Sequence, residues 1–361
     1  MNDFIFKTKI GNQIVLQRGK DITEDDSTRG IYPVVSSSGI SYFTDDYTNE
    51  GPGVILGRKG TVGSVHYLDE NFWSHDTTLY VKDFKRNEPK YVYSFFKTIS
   101  KKIERLDAGS ANPTLNRNHV YLLETYWHSK EAQEKICEIL NIFDQLIIAL
   151  ENKKQIVDIF LSNLFKEFFY KKKVQNSKNL SKIYINDFIN FKDGRTLTKT
   201  NRTLATDIPA FGANGIMGYS RTETGEGKTI FLGKIGSCGA INHYKGRFFA
   251  TNNCFYVEES ENKYFEFILQ TLKLIDFERY IGGSSNPYMP LKNFKYHRVL
   301  VPDQSTLEHY KKVTDPFRDL FYVLDIKISK LRSFKNEIAL AMVDNKINKE
   351  KIITIFDNVC N

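Results

Sequence analysis

Two short segments contain residue types that could support methyl-transfer or nuclease chemistry. Asn286–Tyr288 is similar to the Asn-Pro-Pro-aromatic motif of adenine methyltransferases, but it lacks the second proline, and the related segment Asn112–Thr114 ends in threonine. No Gly-rich cofactor loop precedes either segment. Pro302–Lys311 contains the Pro-Asp, Glu and Lys of a nuclease motif, with the wrong spacing between Glu and Lys. We therefore interpret the first segment as a structural turn and the second as a solvated helix face.

Other catalytic and metal-binding arrangements are also not supported. His75–Asp76 could form an acid–base pair, but the matching positions in the second half of the chain hold Thr251–Asn252. The GxxxxGK[ST] pattern of a phosphate-binding loop is absent, so ATP chemistry would require another chain. Free thiols in a reducing cytoplasm are expected, because the cysteines form no CxxC pair. The cysteines are Cys137, Cys238, Cys254 and Cys360. The sequence predicts no catalytic residue, no metal site and no cofactor.

The charge of the chain favours a polyanionic partner. Its 361 residues include 51 Lys+Arg and 43 Asp+Glu, which gives a net charge of +8. Residues 174–300 contain 17 basic and 11 acidic residues, whereas residues 1–128 contain 16 of each. The first residues have no apolar run of signal-peptide length, and no stretch of 18 apolar residues occurs. We therefore expect a cytoplasmic protein that does not enter a membrane.

The two halves of the chain repeat each other at an offset of about 176 residues. The matching segments are Gly19–Lys20 and Gly194–Arg195, Pro33–Ile40 and Pro209–Ile216, Gly57–Gly63 and Gly233–Gly239, and Gly109–Pro113 and Gly283–Pro287. Their shared order and a period this long indicate two copies of a whole domain. Short β-branched and aromatic runs between Gly- and Asn-rich turns predict that each copy is mostly β. One helix is expected in each copy, around 90–106 and around 263–280.

Two long helices are predicted in the rest of the chain. Apolar residues recur at alternating steps of four and three in 130–170 and in 317–342, which is a heptad pattern. The seam residues of interest are Ile147, Leu150, Lys154, Val157, Ile328, Leu331, Lys335 and Ile338. Lys154 and Lys335 interrupt the two apolar patterns at equivalent heptad positions. We expect these lysines to fix the register of the paired helices. Asp315–Pro316 predicts the start of the second helix. We expect the helices to pair antiparallel as a rod roughly 60 Å long.

This arrangement resembles the specificity subunits of Type I restriction-modification enzymes, from about Phe4 to Asn345. The resemblance rests on the duplicated glycine-spaced loops, the two Gly-Lys/Arg steps and LENKKQIVDIFLSNLF at the end of the central helix. It implies an α+β fold in which two homologous, mostly-β target-recognition domains are separated by two antiparallel helices, with a pseudo-twofold internal repeat. The domain boundaries would be 1–128 and 174–302 for the recognition domains, with helices at 129–173 and 303–361.

The resemblance also implies a division of labour. Each target-recognition domain would read one half of a bipartite, asymmetric site in double-stranded DNA. The helices would set the gap and bind two methyltransferase (M) subunits. Those partners would methylate adenine using S-adenosylmethionine, and ATP-driven restriction (R) subunits would translocate and cleave DNA. The chain itself would be non-catalytic.

The candidate DNA-binding residues lie in the duplicated loops. Readout of bases requires Arg, Lys, Asn or Gln directed at base edges, together with contacts to phosphates. The Gly-Lys/Arg steps place a cation beside a glycine, where the backbone can approach a phosphate. The glycines themselves are expected to serve a positive φ or tight strand packing. The candidates are Arg18, Lys20, Ser36, Ser38, Arg58, Lys59, Arg195, Asn214 and Lys234.

Alternative functions remain open from the sequence. A coiled-coil scaffold with two β modules would have the same architecture, although the basic second half argues mildly against it. The chain could also serve a system that only methylates DNA. A self-contained methyltransferase or nuclease with fused recognition domains would need a further catalytic domain, for which no residues remain.

Overall fold

The computed structural model describes residues 5–106, 113–169, 180–203, 208–283 and 287–343. The paired segments Gly109–Pro113 and Gly283–Pro287 lie mostly outside these ranges. The chain divides into two compact units, one formed by Met1–Ala149 and Ile328–Asn361 and the other by Leu150–Lys327. Each unit contains one β-rich half of the chain and part of each long helix.

Short strands form three sheets in the first unit. They are β1 (Ile5–Lys9), β2 (Val15–Arg18), β3 (Tyr32–Ser36), β4 (Gly39–Thr44), β5 (Gly53–Gly57), β6 (Val65–Leu68), β7 (Trp73–Ser74), β8 (Thr78–Asp83) and β9 (Glu124–His128). Strand order is β2-β8-β5-β6 in one sheet, β4-β3-β7 in the second, and β1 pairs with β9 in the third. Strand β5 is buried along its whole length, as expected for its apolar sequence GVILG.

The second unit repeats this connectivity in one larger sheet. Its strands are β10 (Leu180–Tyr184), β11 (Lys192–Asp193), β12 (Arg202–Thr203), β13 (Pro209–Gly212), β14 (Gly215–Ser220), β15 (Gly225–Gly233), β16 (Ile241–Ala250), β17 (Cys254–Glu258) and β18 (Arg298–Pro302). The sheet order is β11-β17-β15-β16-β13-β14-β12, and β10 pairs with β18. Strand β16 pairs antiparallel with β15 and parallel with β13, so it takes the places of both β6 and β7. The predicted duplication of a whole domain is confirmed.

The described helices vary from single turns to 40 residues. They are α1 (Ile10–Gln13), α2 (Pro89–Glu104), α3 (Arg117–Leu122), α4 (Lys130–Phe169), α5 (Ile185–Phe188), α6 (Phe265–Lys273), α7 (Leu291–Phe294) and α8 (Gln304–Val343). Helix α2 confirms the helix expected around 90–106. Its counterpart α6 is shorter than expected, because it ends at Lys273 and a separate 3-10 turn follows at Glu278–Tyr280.

Within each unit, the segments of helices α4 and α8 pair antiparallel, as the heptad patterns predict. In the second unit, Val157 and Leu161 of α4 pack with Leu324 of α8. Lys154 pairs with Asp325, and Asp158 pairs with Arg318, so residue numbers rise on one helix as they fall on the other. In the first unit, Lys335 of α8 pairs with Asp144 of α4. Both seam lysines therefore bind a carboxylate of the facing helix, which accounts for polar residues at these seats.

The other seam residues are buried to different degrees. Ile147, Val157, Ile328, Leu331 and Ile338 are all at most 8% exposed, whereas Leu150 is half-buried. These apolar side chains supply the hydrophobic contact that two isolated heptad helices require.

The predicted start of the second long helix at Asp315–Pro316 is wrong. Helix α8 begins at Gln304, where the Asp303 carboxylate accepts a hydrogen bond of 2.8 Å from the N–H of Thr306 and acts as the N-cap. Pro316 lies inside the helix, where it removes one backbone hydrogen bond. The helix continues because buried residues on both sides of Pro316, Tyr310 and Arg318, anchor it.

Candidate nucleic-acid interface

Four segments of the first unit come together where strands end or begin, and we call them the first loop cluster. The segments are Arg18–Lys20, Ser36–Gly39, Gly57–Gly63 and Ser74–Thr78. The N–H of Lys20 donates to the carbonyl of Ser74 at 2.8 Å, and the N–H of Arg58 donates to the carbonyl of Thr77 at 2.8 Å. The N–H of Ser37 reaches the hydroxyl of Thr77 at 3.3 Å. The segments are thus joined largely through the main chain.

The second unit has a matching second loop cluster, formed by Asp193–Arg195, Gly212–Gly215, Gly233–Gly239 and Ala250–Cys254. Arg195 donates its N–H to the carbonyl of Ala250 at 2.9 Å and accepts from the N–H of Asn252 at 2.9 Å. The N–H of Lys234 donates to the carbonyl of Asn253 at 2.8 Å. The same main-chain frame is therefore built twice, and it brings the sequence-predicted residues of each half together.

Glycine is required at the Gly-Lys/Arg steps by contact with the protein's own backbone. A Cβ atom on Gly19 would lie 2.2 Å from the carbonyl oxygen of Ser74, and one on Gly194 would lie 1.9 Å from that of Thr251. Tight packing of strand ends thus explains these glycines, and the close approach expected at a phosphate is made to the protein instead. Gly60 and Gly236, in the glycine-spaced loops, have φ values of +77° and +81°, which favour glycine.

Several predicted side chains of the first loop cluster are accessible to a ligand. Lys20, Ser38 and Lys59 are exposed. Neither lysine forms an ion pair with any residue that the structure describes. The hydroxyl of Ser36 lies 3.0 Å from that of Ser38 and donates to the carbonyl of Gly39 at 3.1 Å, which fixes the turn between β3 and β4.

Asp76 organises the remaining cations of this cluster. Its carboxylate accepts a hydrogen bond of 2.6 Å from Arg18, and its carbonyl lies 3.4 Å from the guanidinium of Arg58. Burial opposes ionisation of Asp76, but the hydrogen bond from Arg18 and the charges of His75 and Lys59 outweigh it, so the pKa of Asp76 is lowered. Burial, followed by the charge of Arg18, lowers the pKa of Arg58. The sequence alone marks Asp76 only as part of a possible acid–base pair and does not indicate this role.

Asp21, His75 and Asp76 also present ligand atoms within 4.8 Å of one another, the one such group among the described residues. Arg18 already places a cation on the Asp76 carboxylate, which disfavours a divalent metal at this position.

The second loop cluster carries different side chains on its frame. Arg195 and Asn214 are exposed, and Arg195 forms no ion pair within the described ranges. Lys234 pairs with Asp193 at 2.5 Å and lies 4.9 Å from the ring centre of Phe255. Asp193 occupies the position of Arg18, so the charge at this position is opposite in the two clusters, and its ion-pair partner comes from a different segment.

A family model described as the Type I restriction modification DNA specificity domain matches residues 12–158 and 177–315. The chain belongs to this family. The two matches correspond to the two halves of the repeat, and the resemblance seen in the sequence is confirmed. The chain is therefore a non-catalytic Type I specificity subunit with two DNA-recognition domains.

Curated relatives of the family are similar to this chain at low identity. A putative type I specificity subunit of Mycoplasma pneumoniae is 23% identical over 338 residues, which cover 87% of this chain and 89% of that protein. The MjaIX specificity subunit of Methanocaldococcus jannaschii is 22% identical over 305 residues, covering 73% and 70%. The match to the EcoprrI specificity subunit of Escherichia coli, at 23% identity, spans 39% of this chain and 36% of the relative.

Solved structures show the same fold over nearly the full chain. The S subunit of a Type-I restriction-modification system from M. genitalium has a TM-score of 0.58 at 19% identity, covering 95% of this chain and 97% of that one. A chain from a study of complex assembly and conformational transition in the type I R-M system has a TM-score of 0.50 at 8% identity, covering 94% and 97%. In the described part of this chain, no helix has the length and apolarity needed to cross a bilayer.

Proposed function

We propose that each loop cluster reads one half of a bipartite, asymmetric target in double-stranded DNA. The observation that carries this proposal is that the two loop clusters share equivalent main-chain hydrogen bonds but carry different side chains. Lys20 is replaced by Arg195, Ser38 by Asn214, and Lys59 by Ile235. Because base readout depends on the donors and acceptors of the side chains, two clusters that differ in this way would select different bases. The proposed recognition domains, 1–128 and 174–302, each contain one cluster.

Within each cluster, we assign the exposed cations the first contact with DNA. Lys20 and Arg195 extend from equivalent backbone positions, and neither is neutralised by a carboxylate within the described ranges. An arginine can bind the O6 and N7 atoms of guanine with two hydrogen bonds, whereas a lysine acts as a single charged donor. Ser36, Ser38 and Asn214 supply short polar groups beside them. Arg18, Arg58, Lys59 and Lys234 would contact phosphates or orient their neighbours.

The partner subunits would bind the helices. In the second unit, Ile156 and Ile159 on α4 and Ile326 on α8 are more than half exposed, at 66%, 52% and 51%. Exposed apolar side chains on a coiled coil suit a protein partner. We propose that two methyltransferase subunits bind there and methylate adenine at the target. Restriction subunits would join in a system that also cleaves DNA, and a methylation-only system would lack them. Cytoplasmic location stays a prediction.

The test is to coexpress the chain with its methyltransferase subunits and map methylated adenines in host DNA. Lys20→Ala should weaken or relax recognition of one half-site, and Arg195→Ala that of the other. Loss of a base contact should cost about 1–3 kcal/mol at one position. Lys7→Ala and Lys263→Ala, which remove exposed, ion-paired lysines outside the clusters, are the controls. Methylation of the unchanged target by both cluster variants at wild-type efficiency would refute the assignment.

A further inference from the structure

A groove in the second unit is lined by residues in and beside the edge strand β12 and its hydrogen-bonded neighbour β14. Its volume is about 360 Å³, and its walls include Arg202, Met217, Tyr219 and Arg221. Gly218 lines the same groove, and apart from its two chain neighbours no residue that the structure describes has an atom within 4 Å of the place where its Cβ would be. The groove is therefore kept open by the absence of a side chain at this glycine.

The two arginines of the groove are available to bind an anion. Arg202 and Arg221 are both exposed, and neither has a carboxylate partner among the residues that the structure describes. Two other exposed arginines in this unit are neutralised locally: Arg247 pairs with Glu223, and Arg279 pairs with Asp276 at 2.8 Å. The groove thus combines a concave shape with two uncompensated guanidinium groups.

The corresponding surface of the first unit has the opposite character. Tyr42 occupies the position of Gly218, and its hydroxyl donates to the carbonyl of Ile22 at 2.8 Å, which fills the space. Asp45 stands where Arg221 stands in the second unit. Burial, followed by the negative charges of Glu24, Asp21 and Asp26, raises the pKa of the Tyr42 hydroxyl. The first unit therefore presents a filled, acidic surface where the second has an open, basic groove.

We propose that this groove binds a backbone phosphate of the DNA beside the half-site read by the second loop cluster. The inference rests on the proposed function and extends the DNA contact of one domain beyond its cluster. The groove adjoins the cluster along the chain on both sides, because Leu197 follows Arg195 by two residues and Met217 follows Asn214 by three. Guanidinium groups match phosphate geometry through parallel hydrogen bonds. The first domain would make no such contact, since its carboxylates repel phosphate.

The test measures DNA binding by the chain assembled with its methyltransferase subunits, across a series of salt concentrations. Two duplexes are used, one with the methylated target sequence and one unrelated. The double variant Arg202→Ala/Arg221→Ala should bind both duplexes at least about tenfold more weakly, as expected when charge-assisted hydrogen bonds are lost. Its slope of log affinity against log salt should fall by about one, because one phosphate contact is lost. The target sequence that the assembled complex methylates should not change in the double variant.

The matched control is Arg279→Ala, which removes an exposed arginine of the same unit that is already paired with Asp276; its affinity and slope should equal those of the wild type. Arg221→Asp, which installs the residue of the first domain, should weaken binding more than Arg221→Ala. Wild-type affinity and slope in the double variant would overturn the inference. A changed target sequence would also overturn it, because it would indicate base contact. If the wild-type complex shows no preference for its own target, the proposed function fails as well.

Discussion

The Nε of Arg318 donates to the carboxylate of Glu266 at 2.6 Å, and the two side chains are only 1% and 2% exposed. A second nitrogen of the guanidinium reaches Asp158 at 3.1 Å. This buried network connects α8, α6 and α4 within the second unit. When Lys154 of α4 is aligned with Lys335 of α8, the residue of α4 that matches Arg318 is Cys137, in the first unit. A cysteine cannot replace the arginine, so this network belongs to one copy of the repeat.

Arg318→Met should lower the free energy of unfolding of the second unit by about 3–5 kcal/mol, because Glu266 would remain buried without its main partner. The double variant Arg318→Met/Glu266→Leu should recover much of this loss. Denaturant unfolding of the full chain measures both effects. Lys263→Met, which breaks an exposed pair with Glu308, should leave the midpoint unchanged. An unchanged midpoint in Arg318→Met would show that the pair does not stabilise the fold.

Stability of the first unit should depend on pH through His128. This residue is 1% exposed, and burial lowers its pKa from 6.5 to about 4. Below pH 6.5, His128 binds a proton in the unfolded chain but stays neutral in the folded chain until the pH approaches 4. The stabilisation is therefore complete above pH 6.5 and is lost as the pH falls towards 4, by up to about 3 kcal/mol.

His128→Gln is the variant that isolates this effect. Glutamine can keep a hydrogen bond to the hydroxyl of Tyr91, which lies 2.9 Å from Nδ1 of His128, but it does not titrate. Urea midpoints measured between pH 7 and pH 4 should fall less steeply for the variant than for the wild type. Parallel curves would mean that His128 takes up a proton as readily in the folded state as in the unfolded chain.

Charge at the seam of the coiled coil should be far more damaging than charge on its outer face. Leu161 is fully buried against α8, whereas Ile156 on the same helix is 66% exposed. Leu161→Asp would bury a carboxylate without a partner, at a cost of several kcal/mol. Ile156→Asp should leave thermal unfolding close to that of the wild type. Similar unfolding temperatures for the two variants would contradict the helix pairing.

Asp76→Asn should change recognition by the first domain only. The substitution releases Arg18 and reproduces the residue type found at the equivalent position 252 of the second domain. We expect relaxed or altered preference in one half-site and an unchanged second half-site, read out by mapping methylated adenines. The matching variant Asp193→Asn, which releases Lys234, should affect the other half-site. Equal changes in both half-sites would argue against independent reading by the two domains.

The two repeated domains and the two long helices were predictable because each leaves a regular spacing of residues in the sequence. The heptad steps around Val157 and Leu331 require a paired helix, and the segments at Pro33 and Pro209 repeat at a fixed offset. Both signals depend only on residue spacing, which the fold preserves.

Features that depend on distant pairs were not predictable in the same way. Arg318 and Glu266 are 52 residues apart, and Arg18 and Asp76 are 58 apart. Nothing local to either residue marks its partner. The groove was missed for a similar reason: its arginines come from two segments that the β12–β14 ladder brings together. The start of α8 was misplaced because Asp315–Pro316 is a strong local signal that tertiary packing overrides.

The main-chain hydrogen bonds that hold Lys20, Arg58 and Lys234 have a consequence for how such a protein can evolve. Because the frame of each loop cluster is held largely by backbone hydrogen bonds and by its glycines, an exposed side chain that makes none of these contacts can be exchanged without loss of folding. Lysine at 59 and isoleucine at 235 already occupy the same place. On the proposed function, new target sequences would be accessible through single substitutions that are nearly neutral for stability, and such chains would diversify quickly under selection.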